Sequence, residues 1–181
     1  AGRGWAAAFL YNKRAMGVME NFFARGDTLS LGVCNGCQLM VALGLLYPGH
    51  TRRIRMRQNA SGKFESAFLS VEVQESASVL LKDLAGARLG IWVAHGEGRF
   101  SLPEGEDRYD IPLRYSAGSY PANPNGADFN AAAVCSPDGR HLVMMPHLER
   151  SLLPWQWGYY PQDLLSAHEV SPWALAFVNA R

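Results

Sequence analysis

Apolar and polar positions along this chain change period from block to block. Over residues 4–25, Trp5, Phe9, Met16, Met19 and Phe23 recur at helical spacing and Gly26-Asp27 closes the segment, which predicts an amphipathic helix. A short apolar run, Thr28–Leu31, predicts a strand. A glycine-flanked turn, Gly32-Val33-Cys34-Asn35-Gly36, follows, then an apolar helix from Cys37 to Leu46 that Tyr47-Pro48-Gly49 stops. Residues 64–74 alternate as a strand, Ser78–Leu84 reads as a short helix, and Leu89–His95 reads as a buried strand running into Gly96-Glu97-Gly98-Arg99-Phe100. A polar loop at 101–110, a strand at Ile111–Tyr115 and a long Pro/Asn/Gly loop at Tyr120–Gly126 come next. Ala131–Cys135 and His141–Met145 flank Ser136-Pro137-Asp138-Gly139-Arg140, a hairpin signal in which Pro and Gly supply the turn dihedrals. Pro172–Arg181 reads as a short closing helix. Helix, strand, helix, several strands, helix is the order of an α/β sheet with an antiparallel portion.

Composition narrows the function classes. At 181 residues and 48% hydrophobic, with five tryptophans, the chain fits one globular domain with a substantial core. A formal net charge of +1 gives no electrostatic case for nucleic acid. The run Arg52-Arg53-Ile54-Arg55-Met56-Arg57 reads as a solvated strand face or docking surface, with phosphate contact as the sharper alternative. No apolar stretch reaches a membrane span. Three cysteines do not make a disulfide scaffold, so a reducing, cytoplasmic setting is expected.

Cys34 carries the most chemistry. Strand, sharp turn and helix start would lift a nucleophile out of the sheet, and a helix N-terminus favours negative charge. Such a sulfur needs a base that can also return a proton, and a third group to orient that base. His147 and Glu149, two apart in an extended segment, project from one face and offer that pair. His95 is the rival base. His50, His141 and His168 carry little signal, and Cys135 reads as a core thiol. Cys34-Asn35-Gly36-Cys37 also reads as a C-x-x-C redox motif, although Cys37 would begin the apolar helix face. No second Cys/His pair supports zinc, so no metal site is expected.

The blocks Gly32–Gln38 and Met144-Met145-Pro146-His147-Leu148-Glu149-Arg150 resemble the triad (class I) glutamine amidotransferase domain. More narrowly, His95–Arg99, Tyr120–Gly126 and Asn59, Ser61, Phe64 and Glu65 are similar to the glutaminase domain of the phosphoribosylformylglycinamidine synthase family, in that family's order. The resemblance covers the chain from near residue 4 to its end, as the C-terminal portion of such a domain. It implies a flavodoxin-like three-layer sandwich with a mixed, mostly parallel sheet whose N-terminal strands are missing. It implies Cys34 as nucleophile, His147 as proton shuttle, Glu149 as its orienter and the Asn35 N–H as an oxyanion donor. Gln38, His95 and Glu97 become glutamine-pocket residues. The implied partners are glutamine and a synthetase domain of the same parent chain, and ATP and Mg would belong to that domain. Leu148 stands where the family often has proline. Ala1-Gly2-Arg3-Gly4 looks like the tail of a glycine-rich loop supplying the other oxyanion donor. Without that loop, turnover by this piece alone is expected to be slow by about 10²–10³.

Overall fold

The computed structural model describes residues 2–165 and 167–181. The first helical segment is two helices, α1 (Gly2–Leu10) and α2 (Lys13–Ala24), not one. The break is chemical: Asn12 takes an extended conformation and its side chain accepts from the N–H groups of Arg14 and Ala15. An asparagine offering such a cap starts a new helix where spacing alone reads a continuous one. Gly2 already belongs to α1, so the stretch read as a loop tail is helical from there; Ala1 lies outside the described residues.

The remaining elements are β1 (Ser30–Val33), α3 (Asn35–Leu43), β2 (Arg55–Arg57), β3 (Glu65–Val73), β4 (Arg88–His95), β5 (Arg99–Ser101), β6 (Asp110–Tyr115), β7 (Ala131–Cys135), β8 (His141–Met144), α4 (Gln162–Leu165) and α5 (Leu175–Val178). The short helix expected at Ser78–Leu84 is reduced to a 3-10 turn at Lys82–Leu84, and the polar loop at 101–110 holds another at Glu106–Arg108. The closing helix is a 3-10 turn, Pro172–Ala174, continuing into α5. No described helix is long and apolar enough to cross a membrane.

Six strands form one sheet in the order β1-β8-β7-β6-β3-β4, and β2 pairs with β5 in a separate ribbon. The sheet is mixed, as expected, but the balance of directions is reversed. Only β1 and β8 run parallel; β8–β7, β7–β6, β6–β3 and β3–β4 are antiparallel. The connections explain this. A parallel pair needs a long crossover, which the stretch between β1 and β8 supplies, whereas β7 and β8 are joined by the tight Ser136–Arg140 turn. Gly139 sits in that turn at φ 76°, where an added Cβ would lie 1.8 Å from the Ala77 carbonyl oxygen.

Both faces of the sheet are covered. Along β7 and β8, Ala133, Cys135, Leu142 and Met144 enter one core with Ile91, Leu113 and Trp173. Val134, Val143 and Met145 enter the other with Phe23, Met40 and Val41. That alternation is the period-two consequence of the pleat, and it places α2 and α3 on one side and the C-terminal turn with α5 on the other. The result is a three-layer α/β arrangement.

Candidate active site

The sheet curls until its two edge strands meet. β1 and β4 are at opposite ends of the strand order, yet Cys34, immediately after β1, points its Sγ at the Ala94 carbonyl oxygen on β4, 3.8 Å away. His147, just past β8, donates its backbone N–H to the Trp92 carbonyl oxygen at 2.8 Å, an isolated antiparallel bridge across the same seam. Residues far apart in the chain are thereby held at one place by β4 backbone.

At the turn itself, Cys34 adopts φ 50° and ψ −103°. A side chain in this region is strained and persists only where its surroundings fix it. Here both neighbours do: Cys34 N–H donates to the Met144 carbonyl at 2.9 Å, and its carbonyl accepts from Gln38 N–H at 3.0 Å, opening α3. The glycine two residues before it is needed for close approach. A Cβ on Gly32 would lie 2.5 Å from Met40 Sδ and 2.9 Å from the Gly36 carbonyl oxygen. The glycine two residues after, Gly36, has open space at its Cβ position, so close approach explains only the first of the two. Asn35, as the first residue of α3, carries an N–H with no intrahelical acceptor, directed from the helix start beside the sulfur.

His147 and Glu149 come together as the two-residue spacing suggested: Nδ1 lies 2.6 Å from Glu149 Oε1. Because a 3-10 turn begins at Leu148, the pair is closed by a turn and not by an extended strand. Leucine between them is wholly buried in the core and does not disturb the contact. Burial of His147 works against its charge, but hydrogen bonding to Cys34 and Glu149 and the charges of both outweigh it, raising its pKa to about 9. The Nε2 atom is buried and has no hydrogen bond of ordinary geometry, leaving it available to a group at the sulfur. Glu149 is likewise penalised by burial, and its bond to His147 more than compensates, holding its pKa below the usual carboxylate value. Arg150 Nε stands 3.6 Å from the same carboxylate oxygen.

The other sequence-selected residues form the adjoining wall. Gln38 donates from Nε2 to the Glu97 carbonyl at 3.0 Å, so its amide is committed to backbone and α1 packs onto its side chain at Gly2. His95 ends β4 fully inside the protein, with neither ring nitrogen hydrogen-bonded. Burial, with the nearby His147 charge in a lesser part, drives its pKa to about 4, so it is neutral and cannot replace His147 as an imidazolium. Asn59 fixes this turn: its Nδ2 donates to the Lys63 and His95 carbonyls at 2.9 and 2.7 Å, and its Oδ1 accepts from Gly98 N–H at 3.0 Å. Asn125 Nδ2 donates to the Gly98 carbonyl at 2.8 Å from the long loop. The carbonyls of Trp92 and Ala94 are positioning groups that sequence reasoning missed, since backbone carries no side-chain signature.

Cys37 does not share the site. It is fully buried on the inner face of α3, and desolvation, aided by the neighbouring Cys34, raises its pKa well above the thiol range. That environment disfavours the redox reading of the C-x-x-C spacing. Cys135 is the core thiol expected, pushed up to about 12 by burial. Among the described residues no group of three His, Cys, Asp or Glu gathers that could hold a metal.

A half-buried cysteine at a strained elbow, with an imidazole beside it and a carboxylate behind that, is an arrangement suited to thiol-dependent acyl transfer. The whole chain, residues 1–181, matches the CobB/CobQ-like glutamine amidotransferase domain, and it belongs to that family. It is 44% identical to a probable phosphoribosylformylglycinamidine synthase, chloroplastic/mitochondrial, of Arabidopsis thaliana over 99% of its own length and 14% of that protein. It is 39% identical to the human phosphoribosylformylglycinamidine synthase over 99% of itself and 15% of that protein. The chain thus spans only a small part of the relatives it matches. Among solved structures, PurLQS from Thermotoga maritima is 27% identical with a TM-score of 0.56, over 68% of this chain and 52% of that one. A Thermotoga maritima glutamine amidotransferase at 17% identity and TM-score 0.50, over 92% of this chain and 60% of that one, shares the fold alone.

Proposed function

We propose that this chain is the glutaminase portion of a phosphoribosylformylglycinamidine synthase. The observation that carries the reading is Cys34, held strained at the seam, with the Glu149-bound His147 beside it. In this account Cys34 Sγ attacks the carboxamide carbon of glutamine. The developing oxyanion takes a hydrogen bond from the Asn35 N–H. His147, charged near neutral pH, gives its proton to the departing ammonia, and the C–N bond breaks to leave a glutamyl thioester. Water then loses a proton to His147 as it attacks the thioester, releasing glutamate and returning the sulfur. Gln38, His95 and Glu97 shape the glutamine pocket without taking a proton.

Ammonia then passes to a synthetase domain of the same parent chain, where ATP and Mg serve the conversion of formylglycinamide ribonucleotide to formylglycinamidine ribonucleotide in purine biosynthesis. No step on this chain runs through either cofactor. We place the protein in the cytoplasm, because its nucleophile must stay reduced, although the Arabidopsis thaliana relative carries an organellar name. The reading is tested by an electrophilic glutamine analogue followed by peptide mass spectrometry. Label on Cys34, absent from Cys37 and Cys135 and blocked by glutamine, is the expected result. Label on Cys37 instead would overturn the assignment.

A further inference from the structure

We infer that the arginine face of the β2/β5 ribbon is a binding site for a phosphate-bearing anion. The inference concerns residues outside the triad and stands apart from the glutaminase reading. In the ribbon, Arg55 lies opposite Ser101, Met56 opposite Phe100 and Arg57 opposite Arg99. Phe100 is buried in the core and Met56 packs against the same cluster, so the pleat turns Arg55, Arg57, Arg99 and Ser101 to the other side. Residues directly opposite have Cβ atoms about 5 Å apart, and like charges so placed destabilise a strand pair. Elsewhere the chain avoids this: Glu72 faces Arg88 on one side and Arg114 on the other. At Arg57 and Arg99 two guanidiniums face each other. Neither they nor Arg55 have an acidic partner among the described residues. The Arg99 Nε is buried and makes no hydrogen bond.

Beside this face lies a cavity of about 610 Å³, bordered by Arg53, Arg55, Arg57, Ser101, Gln38 and Glu97. Its size is that of a small-molecule site and its concavity does not suit a flat acidic protein surface. Arg55 and Arg57, two apart on a strand, are about 6–7 Å from each other along the backbone, with Arg99 across from Arg57. Arg99 does not itself border the cavity; Arg53, Arg55 and Arg57 do, and three forked donors on one wall ask for a ligand with several acceptor oxygens and more than one negative charge. A single carboxylate satisfies neither condition; a phosphate group satisfies both. Glu97, the acid on the rim, offers a hydrogen-bond acceptor to any hydroxyl the anion carries. Gln38 and Glu97, which are hydrogen-bonded to each other, border this cavity as well as the candidate active site, so an anion held by the arginines would sit directly beside that site.

The test is calorimetric titration of the whole chain in phosphate-free buffer, with inorganic phosphate, pyrophosphate, ribose 5-phosphate and ADP as separate arms. At least one arm is expected to bind saturably at one site. Arg57→Ala should weaken it about 10-fold or more, and Arg55→Ala combined with Arg57→Ala should abolish it. Arg88→Ala, on a different strand, should leave it intact. Inorganic phosphate binding as well as the esters would assign recognition to phosphate alone, and tighter binding of an ester would add the cavity walls; either ranking supports the site. Removing Arg57 relieves the like-charge pair, so the thermal midpoint of Arg57→Ala without anion should be no lower than that of the unmodified chain, which shows that lost binding is not lost folding. No saturable binding in any arm, full binding by the double variant, or preference for polyglutamate over every phosphate would overturn the proposal.

Discussion

Replacing Cys34 by glycine should make the protein more stable than replacing it by alanine. Both substitutions remove the sulfur and its contact with the Ala94 carbonyl, so they differ in the Cβ alone. At φ 50° and ψ −103° a Cβ is strained, and such a residue costs about 1–3 kcal/mol. Glycine populates that region freely, but its greater freedom in the unfolded chain takes back about 0.5–1 kcal/mol. The net advantage of Cys34→Gly over Cys34→Ala is therefore about 1 kcal/mol. For a domain of this length that corresponds to about 2–4 °C in thermal midpoint. Paired urea and calorimetric unfolding of the two variants measures it directly, with neither able to form a thioester. A glycine variant equal to or weaker than the alanine variant would show that the elbow is not strained, and the argument that backbone bonds to Met144 and Gln38 hold it there would fail.

Three further outcomes follow from the same geometry. Glu149→Gln removes the carboxylate from His147 Nδ1, so the imidazole pKa should fall from about 9 toward its ordinary value in an NMR titration, and turnover should drop about 10²-fold or more. Since the folded pKa of His147 is raised above the unfolded 6.5, its stabilising contribution is complete below pH 6.5 and is lost as pH rises through about 9. Because Glu149 is 45% exposed, solvent screening reduces this to about 1 kcal/mol, read as a loss of urea stability between pH 6.5 and 9.5 that His147→Gln should not show. Asn59→Ala removes three hydrogen bonds from the turn after β4 and leaves buried backbone groups unpaired. A loss of about 2–4 kcal/mol in chemical denaturation is expected, and a loss below 0.5 kcal/mol would show that the turn is held by other contacts.

The local chemistry of the site was legible in the sequence, and its assembly was not. Strand, glycine-flanked cysteine and apolar helix are short-range signals, and β1, Cys34 and α3 follow them closely. The pairing of His147 with Glu149 was likewise legible, although a 3-10 turn and not the expected extended segment brings them together. What joins them is the curl of a sheet whose edge strands lie 60 residues apart at Cys34 and Ala94. That curl depends on register and twist accumulated over six strands, and on carbonyl groups of Trp92 and Ala94 that any residue would possess. The antiparallel portion expected from the pattern is present, but the mostly parallel balance implied by the family resemblance is not, and alternation could not correct it because it reports a strand and not its sense. β2 was legible only as a solvated strand face or docking surface, because three residues give too short an alternation to separate the two, and its pairing with Arg99 is visible only in register. Asn12 shows the reverse case: a capping residue was present in the sequence, but continuous helical spacing on either side concealed it.

The most direct measurement is glutamate release from glutamine by this chain, with Cys34→Ala as control and folding verified by circular dichroism. Hydrolysis that disappears in the variant is the predicted result. Hydrolysis that survives Cys34→Ala, or none from protein shown to be folded, would contradict it.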